Sequence, residues 1–488
     1  MSGLYVLSGA EEDVLLVYQT SSGQKHYVPR LGARVIDVSQ PRSSTKYLLN
    51  LSNNRLKIID AATFELQAEI TGLHCPAQSK SDTLTVGCLH PSKPLFFLGS
   101  ASPDDPATLQ CYDFDHDQEL SCLEIASTKR INSTGLENRI VRDAKLSLAA
   151  LSRDGLHLAT VDEWYYDYEV DGVGDREINL KFWTWREKSW TLTTKVENPH
   201  GLHQRVLSLT SATLPSHYQE FATFGSDGSV KIWRSGDDLT RGKSAWTLFR
   251  TKGISIGYPQ RNGVLKYSRD NTTLIISVDE TVYVLDTTSN QVQFSIHVGQ
   301  RITALDTLSK YVLCLLDDSS LLSIWDLSNG SHVLSEPLDR PHSIMAVNHP
   351  TTTIALASSS PESEARIVIS KLSGTENIKI ASFSIAADIR CLLGSESTGN
   401  VRFMFIDGSG HVGRIIEQEG SKLVGQDNSA QDIINFSSTP LSRDLNRSTF
   451  ESPGLSSSRW TDHNLSHVLE NSQLSTKEMY EIVVGSLS

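Results

Sequence analysis

The clearest alternation of apolar and polar positions lies at Phe221–Asp237, FATFGSDGSVKIWRSGD. Phe221–Phe224 is apolar and aromatic, as in a buried strand. The Ser-Asp-Gly at 226–228 favours a turn, because Gly adopts positive φ without strain and Asp accepts hydrogen bonds from its own backbone. A second β-rich run, Val230–Trp233, follows and ends in polar residues. The pattern therefore predicts a β-hairpin.

Similar pairs of apolar runs recur at intervals of roughly 40–45 residues, the period of WD40 propeller blades. One unit carries a literal Trp-Asp pair, Trp325-Asp326, where others have pairs such as Leu285-Asp286. The pattern predicts nine units. They are placed at 1–32, 34–72, about 84–127, about 140–196, around 221–237, 263–299, 301–338, from about 343, and a short ninth that ends near 419.

The predicted fold class is all-β: a seven-bladed WD40-type β-propeller, preceded by remnant blades of another propeller and followed by a mostly disordered C-terminal tail. We assign 1–72 to the last blades of an incomplete first propeller, 73–419 to the second WD40 β-propeller, and 420–488 to a Ser-rich tail with short docking helices. The boundary falls in a polar stretch at 73–82.

The first unit begins in mid-blade, without upstream partner strands. We interpret the chain as a fragment of a longer protein; alternatively, these strands complete a blade begun at the C-terminus. We expect 1–72 not to close alone and to expose sheet edges.

Two pieces of the tail, 465–469 and 475–483, have apolar residues at helical spacing, and Ser475-x-x-Glu478 matches a capping box. Helices this short are marginal alone. We therefore expect them to dock, either on a partner protein or on the chain's own propeller.

With 21% charged and 7% aromatic residues among 488, the chain is typical of a globular protein. The net charge of −13 argues against a surface that binds phosphate backbones throughout, although it permits a local basic face. No apolar run reaches the roughly 18 residues of a membrane-spanning helix, and we expect no membrane partner.

The six cysteines are scattered, without a CxxC pair or paired His spacing. This spacing favours buried free thiols in a reducing compartment over a zinc site. We therefore predict neither a metal nor a cofactor. The cysteines are Cys75, Cys88, Cys111, Cys122, Cys314 and Cys391.

An acidic and aromatic insertion at 162–177 interrupts the fourth unit. Its D-x-E-x-D-G run from Asp167 half-matches a calcium-binding loop, but the twelfth position, which requires a bidentate Glu, is Ile178. We interpret the insertion as a solvated loop between two blade strands. The alternative is a partner-binding loop, since aromatic residues among acids suit protein interfaces.

In WD repeats, a His before the first strand, the turn Asp and the strand Trp commonly form a hydrogen-bonded network. His200 or His203, Asp227 and Trp233 fill these places, in structural rather than catalytic roles. A buried Asp with satisfied hydrogen bonds would stiffen the blade.

The sequence has no HExxH motif and no P-loop. Residues 408–413 match GxGxxG, but a strand rather than a helix follows, which favours a hairpin turn over a dinucleotide site. We predict no catalytic, cofactor-binding or metal-binding residue, no small-molecule substrate and no enzymatic activity.

Several stretches together resemble the nucleolar WD-repeat proteins with tandem propellers. They are 7–35, LSLAALSRDGLHLATVDE with INLKFWTWRE, NPHGLHQRVLSL, 221–233 and 465–469. The resemblance runs over nearly the whole chain and is strongest at 7–35 and 144–233. Members of that family belong to the UtpA (t-UTP) subcomplex of the small-subunit processome, and they carry most of a first propeller upstream of the part that this chain resembles.

The resemblance implies a non-enzymatic scaffold of the nucleus and nucleolus that supports pre-18S rRNA processing, ribosome biogenesis and RNA polymerase I transcription of rDNA. The implied partners are other WD-repeat processome proteins, with pre-rRNA and the U3 ribonucleoprotein contacted mainly through the complex. Two alternatives stay open. One is a WD40 adaptor in another pathway, and the other is a propeller hydrolase or sugar-binding domain, which needs acids at the central channel.

Overall fold

The structure, a computed structural model, describes most of the chain as far as residue 417 and one later segment. All regular structure in these parts is β-strand, and the strands pair into nine antiparallel sheets. The described residues are 5–9, 13–40, 45–52, 55–71, 86–99, 107–113, 118–126, 140–141, 144–167, 175–212, 219–238, 243–254, 262–317, 320–340, 342–358, 365–373, 376–385, 388–395, 401–407, 412–417 and 436–440.

Two sheets come first in the chain, with three and four strands. Their strands are β1 (Tyr5–Gly9), β2 (Leu15–Gln19) and β3 (Lys25–Val28), then β4 (Val35–Ser39), β5 (Lys46–Leu51), β6 (Arg55–Asp60) and β7 (Leu66–Thr71).

Seven further sheets follow, which we number blades 1 to 7 in chain order. Blade 1 contains β8 (Gly87–Leu89), β9 (Leu95–Gly99), β10 (Thr108–Asp113) and β11 (Gln118–Glu124). Blade 2 contains β12 (Ile140–Val141), β13 (Lys145–Leu151), β14 (His157–Asp167), β15 (Asp175–Arg186) and β16 (Ser189–Glu197). Blade 3 contains β17 (Val206–Ser211), β18 (Glu220–Gly225), β19 (Ser229–Asp238) and β20 (Lys243–Gly253).

The remaining blades each have four strands. Blade 4 contains β21 (Val264–Tyr267), β22 (Thr273–Val278), β23 (Thr281–Asp286) and β24 (Gln291–His297). Blade 5 contains β25 (Ile302–Leu308), β26 (Tyr311–Leu316), β27 (Leu321–Asp326) and β28 (His332–Pro337). Blade 6 contains β29 (Ile344–Asn348), β30 (Thr353–Ser358), β31 (Ala365–Ser373) and β32 (Glu376–Ile385). Blade 7 contains β33 (Ile389–Gly394), β34 (Val401–Asp407), β35 (Val412–Glu417) and β36 (Phe436–Pro440).

The seven blades close into a ring. Each blade contacts the next through its innermost strand, in the order β8, β13, β17, β21, β25, β29 and β33, and β33 contacts β8 in turn. This is a seven-bladed propeller, as the sequence pattern predicts, with the innermost strands at the central channel and the fourth strands at the rim. We call the face with the turns that follow the innermost strands the lower face. The turns between third and fourth strands lie on the same face, because consecutive strands are antiparallel.

Strand burial follows position in the blade. The second strands β18 and β30 are buried at every residue, whereas the fourth strand β32 has no buried residue. Neighbouring blades cover both faces of an inner strand, which explains why these strands read as continuous apolar runs. The hairpin that the sequence predicts at Phe221–Trp233 is β18 paired with β19, in the middle of blade 3.

The ring closes through an apolar cluster between blades 1 and 7. Phe96, Leu98 and Tyr112 of blade 1 pack with Met404 and Ile406 of blade 7. Tyr112 has no exposed surface. The outer strand of blade 7, β36, pairs with β35 and comes from the stretch 420–488 that the sequence analysis assigns to the tail. The two helices proposed for that tail, at 465–469 and 475–483, lie outside the described residues.

The two sheets that precede the ring share a core of their own. It includes Leu15, Val17, Leu49 and Leu51, and β1 contacts β4 as the innermost strands of the ring contact each other. These two sheets also carry a group of exposed large apolar side chains. These side chains are Tyr5, Val6, Tyr18, Tyr27, Ile36 and Leu66.

Candidate interaction site

The predicted hydrogen-bonded network of a His, a turn Asp and a strand Trp is present in blade 3, where His200 takes the place of the histidine. His200 Nδ1 lies 2.9 Å from Asp227 Oδ1, and His200 Nε2 lies 2.9 Å from Thr223 Oγ1. Trp233 Nε1 donates to the same Thr223 hydroxyl at 3.0 Å. Because indole is only a donor, the hydroxyl accepts from Trp233 and donates to Nε2, which leaves Nδ1–H to donate to the carboxylate. The other candidate, His203, is exposed.

Asp227 ends this chain of hydrogen bonds in the turn. Burial alone raises the pKa of Asp227, but hydrogen bonds from His200 and Ser229 outweigh it and lower the pKa below its ordinary value. Ser229 contributes both its backbone N–H, at 3.0 Å, and its hydroxyl, at 2.6 Å. The network links the turn, the second strand and the third strand, and its polar groups are occupied by one another. Its role is therefore structural.

The acidic insertion is not a solvated loop over its whole length, and that prediction is wrong for both of its ends. β14 and β15 continue as a paired ladder as far as Tyr166 and Asp175. Asp162, Glu163 and Trp164 are buried. The physical reason is pairing across the ladder: Lys181 and Asn179 of β15 supply partners for Asp162 of β14, and Tyr165 donates to Glu163. The centre of the insertion, 168–174, lies outside the described residues, as do the side chain of Asp167 and with it the calcium-loop half-match.

Two ion pairs anchor the insertion. Lys181 Nζ lies 2.8 Å from Asp162 Oδ1 and donates to the backbone oxygen of Ile125, from blade 1, at 2.6 Å. Arg205, which precedes blade 3, lies 3.6 Å from the Glu163 carboxylate. A buried carboxylate requires such partners, since an unpaired buried charge is costly. The insertion therefore connects blade 2 to both of its neighbours.

The remaining sequence candidates have simple structural outcomes. The GxGxxG segment is followed by β35, which pairs with β34, so the predicted hairpin is confirmed although 408–411 are outside the described residues. The described cysteines, which exclude Cys75, are free thiols. Burial raises the pKa of the Cys314 thiol to about 12, so this thiol stays protonated near neutral pH.

Within the part of the chain that the structure describes, no group of three or more His, Cys, Asp or Glu side chains is arranged to hold a metal ion. Nor is there a helix there that is long and apolar enough to cross a membrane.

The site that stands out is a cavity of about 220 Å³ at the lower mouth of the central channel. It forms where the innermost strands of five successive blades, 2 to 6, end. Its lining is almost entirely polar and carries more basic than acidic side chains. The lining residues are Arg153, Thr210, Ser211, Lys266, Tyr267, Ser268, Arg269, Asp306, Thr307, His349 and Pro350.

The two arginines of the lining, Arg153 and Arg269, come from turns of the same construction. Both turns begin Ser-Arg-Asp: 152–154 in blade 2 and 268–270 in blade 4. In the second, Ser268 Oγ donates to Asp270 Oδ1 at 2.6 Å, and the hydrogen bond from Ser268 is the largest cause of a lowered pKa for Asp270. In the first, Asp154 accepts from its Ser hydroxyl in the same way. Each Asp is thus held within its own turn, while the preceding Arg lines the cavity.

Hydrogen bonds between blades fix the floor of this cavity. Ser211 Oγ donates to the backbone oxygen of Leu151 at 2.7 Å, which ties blade 3 to blade 2. Thr307 Oγ1 donates to the backbone oxygen of Tyr267 at 3.3 Å, which ties blade 5 to blade 4. The side chains around the mouth therefore stand on a rigid scaffold.

Sequence reasoning did not find this site. The signal was available in the repeated Ser-Arg-Asp, which recurs at the end of two predicted innermost strands. A single turn of this kind is unremarkable, because Ser and Asp are common turn residues. Only ring closure brings the two turns, with Lys266 and His349, around one opening.

The protein family that this chain matches covers most of the same propeller. The family of the WD repeat-containing protein 75 second β-propeller matches residues 101–376, more than half of the chain. The chain belongs to this family. The match covers described strands of blades 1 to 6, including four of the basic residues at the channel mouth: Arg153, Lys266, Arg269 and His349.

Several full-length relatives contain a similar region. The chain is 29% identical over 309 residues to U3 small nucleolar RNA-associated protein 17 of Schizosaccharomyces pombe, covering 58% of this chain and 37% of that protein. It is 27% identical over 346 residues to mouse WD repeat-containing protein 75, covering 68% and 38%. For NET1-associated nuclear protein 1 of Saccharomyces cerevisiae the identity is 22% over 333 residues, covering 58% and 36%. The chain thus spans less than two fifths of the length of these relatives.

Proposed function

We propose that the protein is a non-enzymatic scaffold in ribosome biogenesis. The observation that carries the proposal is family membership through the propeller, together with similarity to a protein named for association with U3 small nucleolar RNA. A second relative is named as a nuclear protein. From these names we infer that the protein acts in the nucleus and nucleolus, alongside U3 RNA and pre-ribosomal RNA.

The finer assignment is also a proposal. We infer membership of the UtpA subcomplex of the small-subunit processome, with other WD-repeat proteins as direct partners and with roles in pre-18S rRNA processing and RNA polymerase I transcription. We divide the chain for this purpose into 1–72, 73–419 and 420–488, as the sequence pattern predicts. Most contacts to RNA would pass through the complex, because the net charge of −13 disfavours a surface that binds RNA throughout.

The architecture supports a scaffold role in physical terms. In a closed ring the innermost edges are short and lie inside the channel, so the ring offers two rigid faces and a rim to different partners at once. The two sheets before the ring add exposed tyrosines, Tyr5, Tyr18 and Tyr27, which are side chains enriched in protein interfaces. Arg55 in the second of these sheets lies 3.4 Å from Glu119 of blade 1, so this surface joins the ring.

The hydrolase alternative requires acids that converge on the channel. The lining of the cavity at the lower mouth has one carboxylate among its residues, Asp306, which lies 3.4 Å from Lys266 Nζ. A glycosidase uses a pair of carboxylates with separate roles. No observation on the described residues favours this alternative over a scaffold.

Affinity purification of the tagged protein from nuclear extract tests the proposal, with mass spectrometry of the proteins and sequencing of the RNA. We expect other WD-repeat processome proteins, U3 RNA and the 5′ part of the pre-ribosomal transcript. An unrelated nuclear seven-bladed propeller with the same tag serves as the control. Recovery of cytoplasmic adaptors without that RNA would contradict the proposal.

A further inference from the structure

We propose that the cavity at the lower channel mouth binds a backbone phosphate of single-stranded RNA. The proposal rests on the proposed function only for the choice of RNA as the source of the phosphate. The observations that carry it are the charge of the lining, its rigid construction and the chemistry of its donors.

The first argument is local charge. Lys266 is partly balanced by Asp306, but the guanidinium groups of Arg153 and Arg269 have neither a hydrogen bond nor an ion pair within the described part of the chain. Both arginines are exposed. Among the lining residues, Arg153, Lys266 and Arg269 outnumber the one carboxylate, Asp306, which contrasts with the net charge of −13 of the whole chain. The carboxylates of Asp154 and Asp270 lie in the same turns as the arginines but are not part of the lining. An anion would therefore be attracted to this mouth in preference to the rest of the surface.

The second argument is preorganisation. Each arginine lies within its turn, between a Ser and an Asp that are hydrogen-bonded to each other, so these carboxylates are engaged in the turns. The turn at Asn271 is fixed by a positive φ of 56°, and that at Gly155 by a φ of 70°. Interblade hydrogen bonds hold the strands beneath them. The backbone that carries the two arginines is therefore fixed before an anion binds, which leaves only their side chains to be ordered.

The third argument favours a phosphodiester over a peptide. A peptide normally anchors an apolar or aromatic side chain in a pocket. Here the lining presents the hydroxyl group of Thr210 beside the basic groups, and its one tyrosine, Tyr267, is buried. Arg binds phosphate oxygens through its planar fork of donors. With no exposed Phe, Tyr or Trp ring for base stacking among the lining residues, the contact would be made to the backbone and would be independent of sequence.

The size of the cavity agrees with this occupant. A volume of about 220 Å³ is several times the roughly 30 Å³ that one water molecule takes up in the liquid. It accommodates a phosphate with part of its sugar, and leaves the bases outside.

The test is equilibrium binding of the full chain to a fluorescein-labelled oligouridine RNA of about 12 nucleotides, measured by anisotropy over a range of salt concentrations. The variant is Arg153→Ala/Arg269→Ala, which changes exposed side chains. The matched control is Arg186→Ala/Lys188→Ala, because these exposed residues lie on the same lower face but at the turn between β15 and β16 near the rim. Both variants remove two positive charges.

We expect the channel-mouth variant to bind about tenfold more weakly or worse, and its plot of log affinity against log salt to be shallower by about 0.7 per lost phosphate contact. The control should bind as the unmodified chain does. Equal affinities and slopes for all three proteins overturn the proposal. A labelled phosphoserine peptide, run in parallel, separates the two sources of phosphate. Tight binding of that peptide with no binding of RNA also overturns it.

The outcome of this experiment does not depend on the outcome of the test of the proposed function. If processome proteins co-purify with the channel-mouth variant and its RNA binding is unchanged, only the phosphate site is wrong. If purified protein binds oligouridine through the two arginines but recovers no processome protein, the proposed function is wrong and the site stands.

Discussion

At the scale of single residues, polar groups in this propeller are placed so that one side chain satisfies another. Thr223 shows this most directly: its buried hydroxyl accepts from Trp233 and contacts His200, which in turn contacts Asp227. Such a chain stabilises the blade because each member would otherwise be a buried, unsatisfied group. The same logic explains why the carboxylates of blade 2 lie beside Lys181 and Arg205.

We predict that Thr223→Val lowers the free energy of unfolding by about 1–3 kcal/mol, because it removes the hydroxyl that pairs with both Trp233 and His200. Urea denaturation followed by tryptophan fluorescence measures the change. Thr247→Val, at an exposed strand position of the same blade, is the control and should change stability by less than about 0.5 kcal/mol. Equal effects of the two substitutions would contradict the account of the network.

A second residue-scale prediction concerns pH. The hydrogen bond from Lys310, 2.8 Å away, with further help from Ser328, lowers the pKa of Asp326 from 3.8 to about 2. A lowered folded-state pKa means that stabilisation is complete above the unfolded-state value and is lost as pH falls through about 2. Lys310→Met should therefore lower the urea midpoint at pH 6 and have a progressively smaller effect between pH 4 and pH 2.

The control for this pair is Lys188→Met, since Lys188 is exposed and has no ion pair among the described residues. It should leave the midpoint unchanged at both pH values. A Lys310→Met effect of the same size at pH 6 and pH 2 would show that the lysine acts by packing and not through the Asp326 carboxylate.

At the scale of elements, the blades pack so closely that some turns and strand ends accept only glycine. Gly394, at the end of β33, is the tightest case: a Cβ atom there would lie 2.0 Å from the backbone oxygen of Val347 in the next blade. The adjacent strands are also tied by Asn348 Nδ2, which donates to the backbone oxygen of Ser395 at 2.6 Å. Backbone cannot retreat as a flexible side chain can, so the contact between blades 6 and 7 depends on this glycine.

We predict that Gly394→Ala destabilises the protein by about 1–3 kcal/mol, the usual effect of overpacking a close contact. The free energy of unfolding in urea measures it. Gly236→Ala in β19 is the matched control, because a Cβ atom there meets nothing nearer than 3.6 Å. If both alanine variants were equally stable, the close approach of blades 6 and 7 would be wrong.

How far the sequence predicts each element depends on where its contacts lie. The hairpin Phe221–Trp233 is predictable because its turn residues and apolar runs are local, and it forms as expected. The ends of the acidic insertion are not predictable in this way, since the partner of Asp162 is Lys181, across the ladder from it, and a partner of Glu163 is Arg205, which precedes the next blade. The strand Phe436–Pro440 is similarly hidden in a polar stretch, because its pairing with β35 spans a long connection.

The candidate site follows the same rule. Each Ser-Arg-Asp turn is a local feature that the sequence displays. The cavity itself is not a local feature, since Arg153 and Arg269 are separated by more than a hundred residues and line one cavity only because the ring closes. The sequence correctly predicts the His200 network for the opposite reason: its members all lie within one blade.

At the scale of the whole molecule, ring closure connects the ends of the propeller. Tyr112 is fully buried in the cluster between blades 1 and 7. We predict that Tyr112→Ala destabilises the protein by about 3–5 kcal/mol, as for other large aromatic side chains removed from a core. Urea denaturation measures the loss, and Tyr27→Ala, which truncates an exposed tyrosine in the first sheet, is the control. If Tyr112→Ala left the free energy of unfolding unchanged, the stability of the ring would not depend on the contact between blades 1 and 7.

The central claim is that this closed propeller works as a scaffold within U3-containing ribonucleoprotein particles. Sedimentation of the tagged protein from nuclear extract through a sucrose gradient tests it most directly, with U3 RNA measured in every fraction. The account predicts that the protein and U3 RNA sediment together in large particles, and that ribonuclease treatment moves the protein to lighter fractions. Sedimentation of the protein as a free monomer, with U3 RNA elsewhere in the gradient, would contradict it.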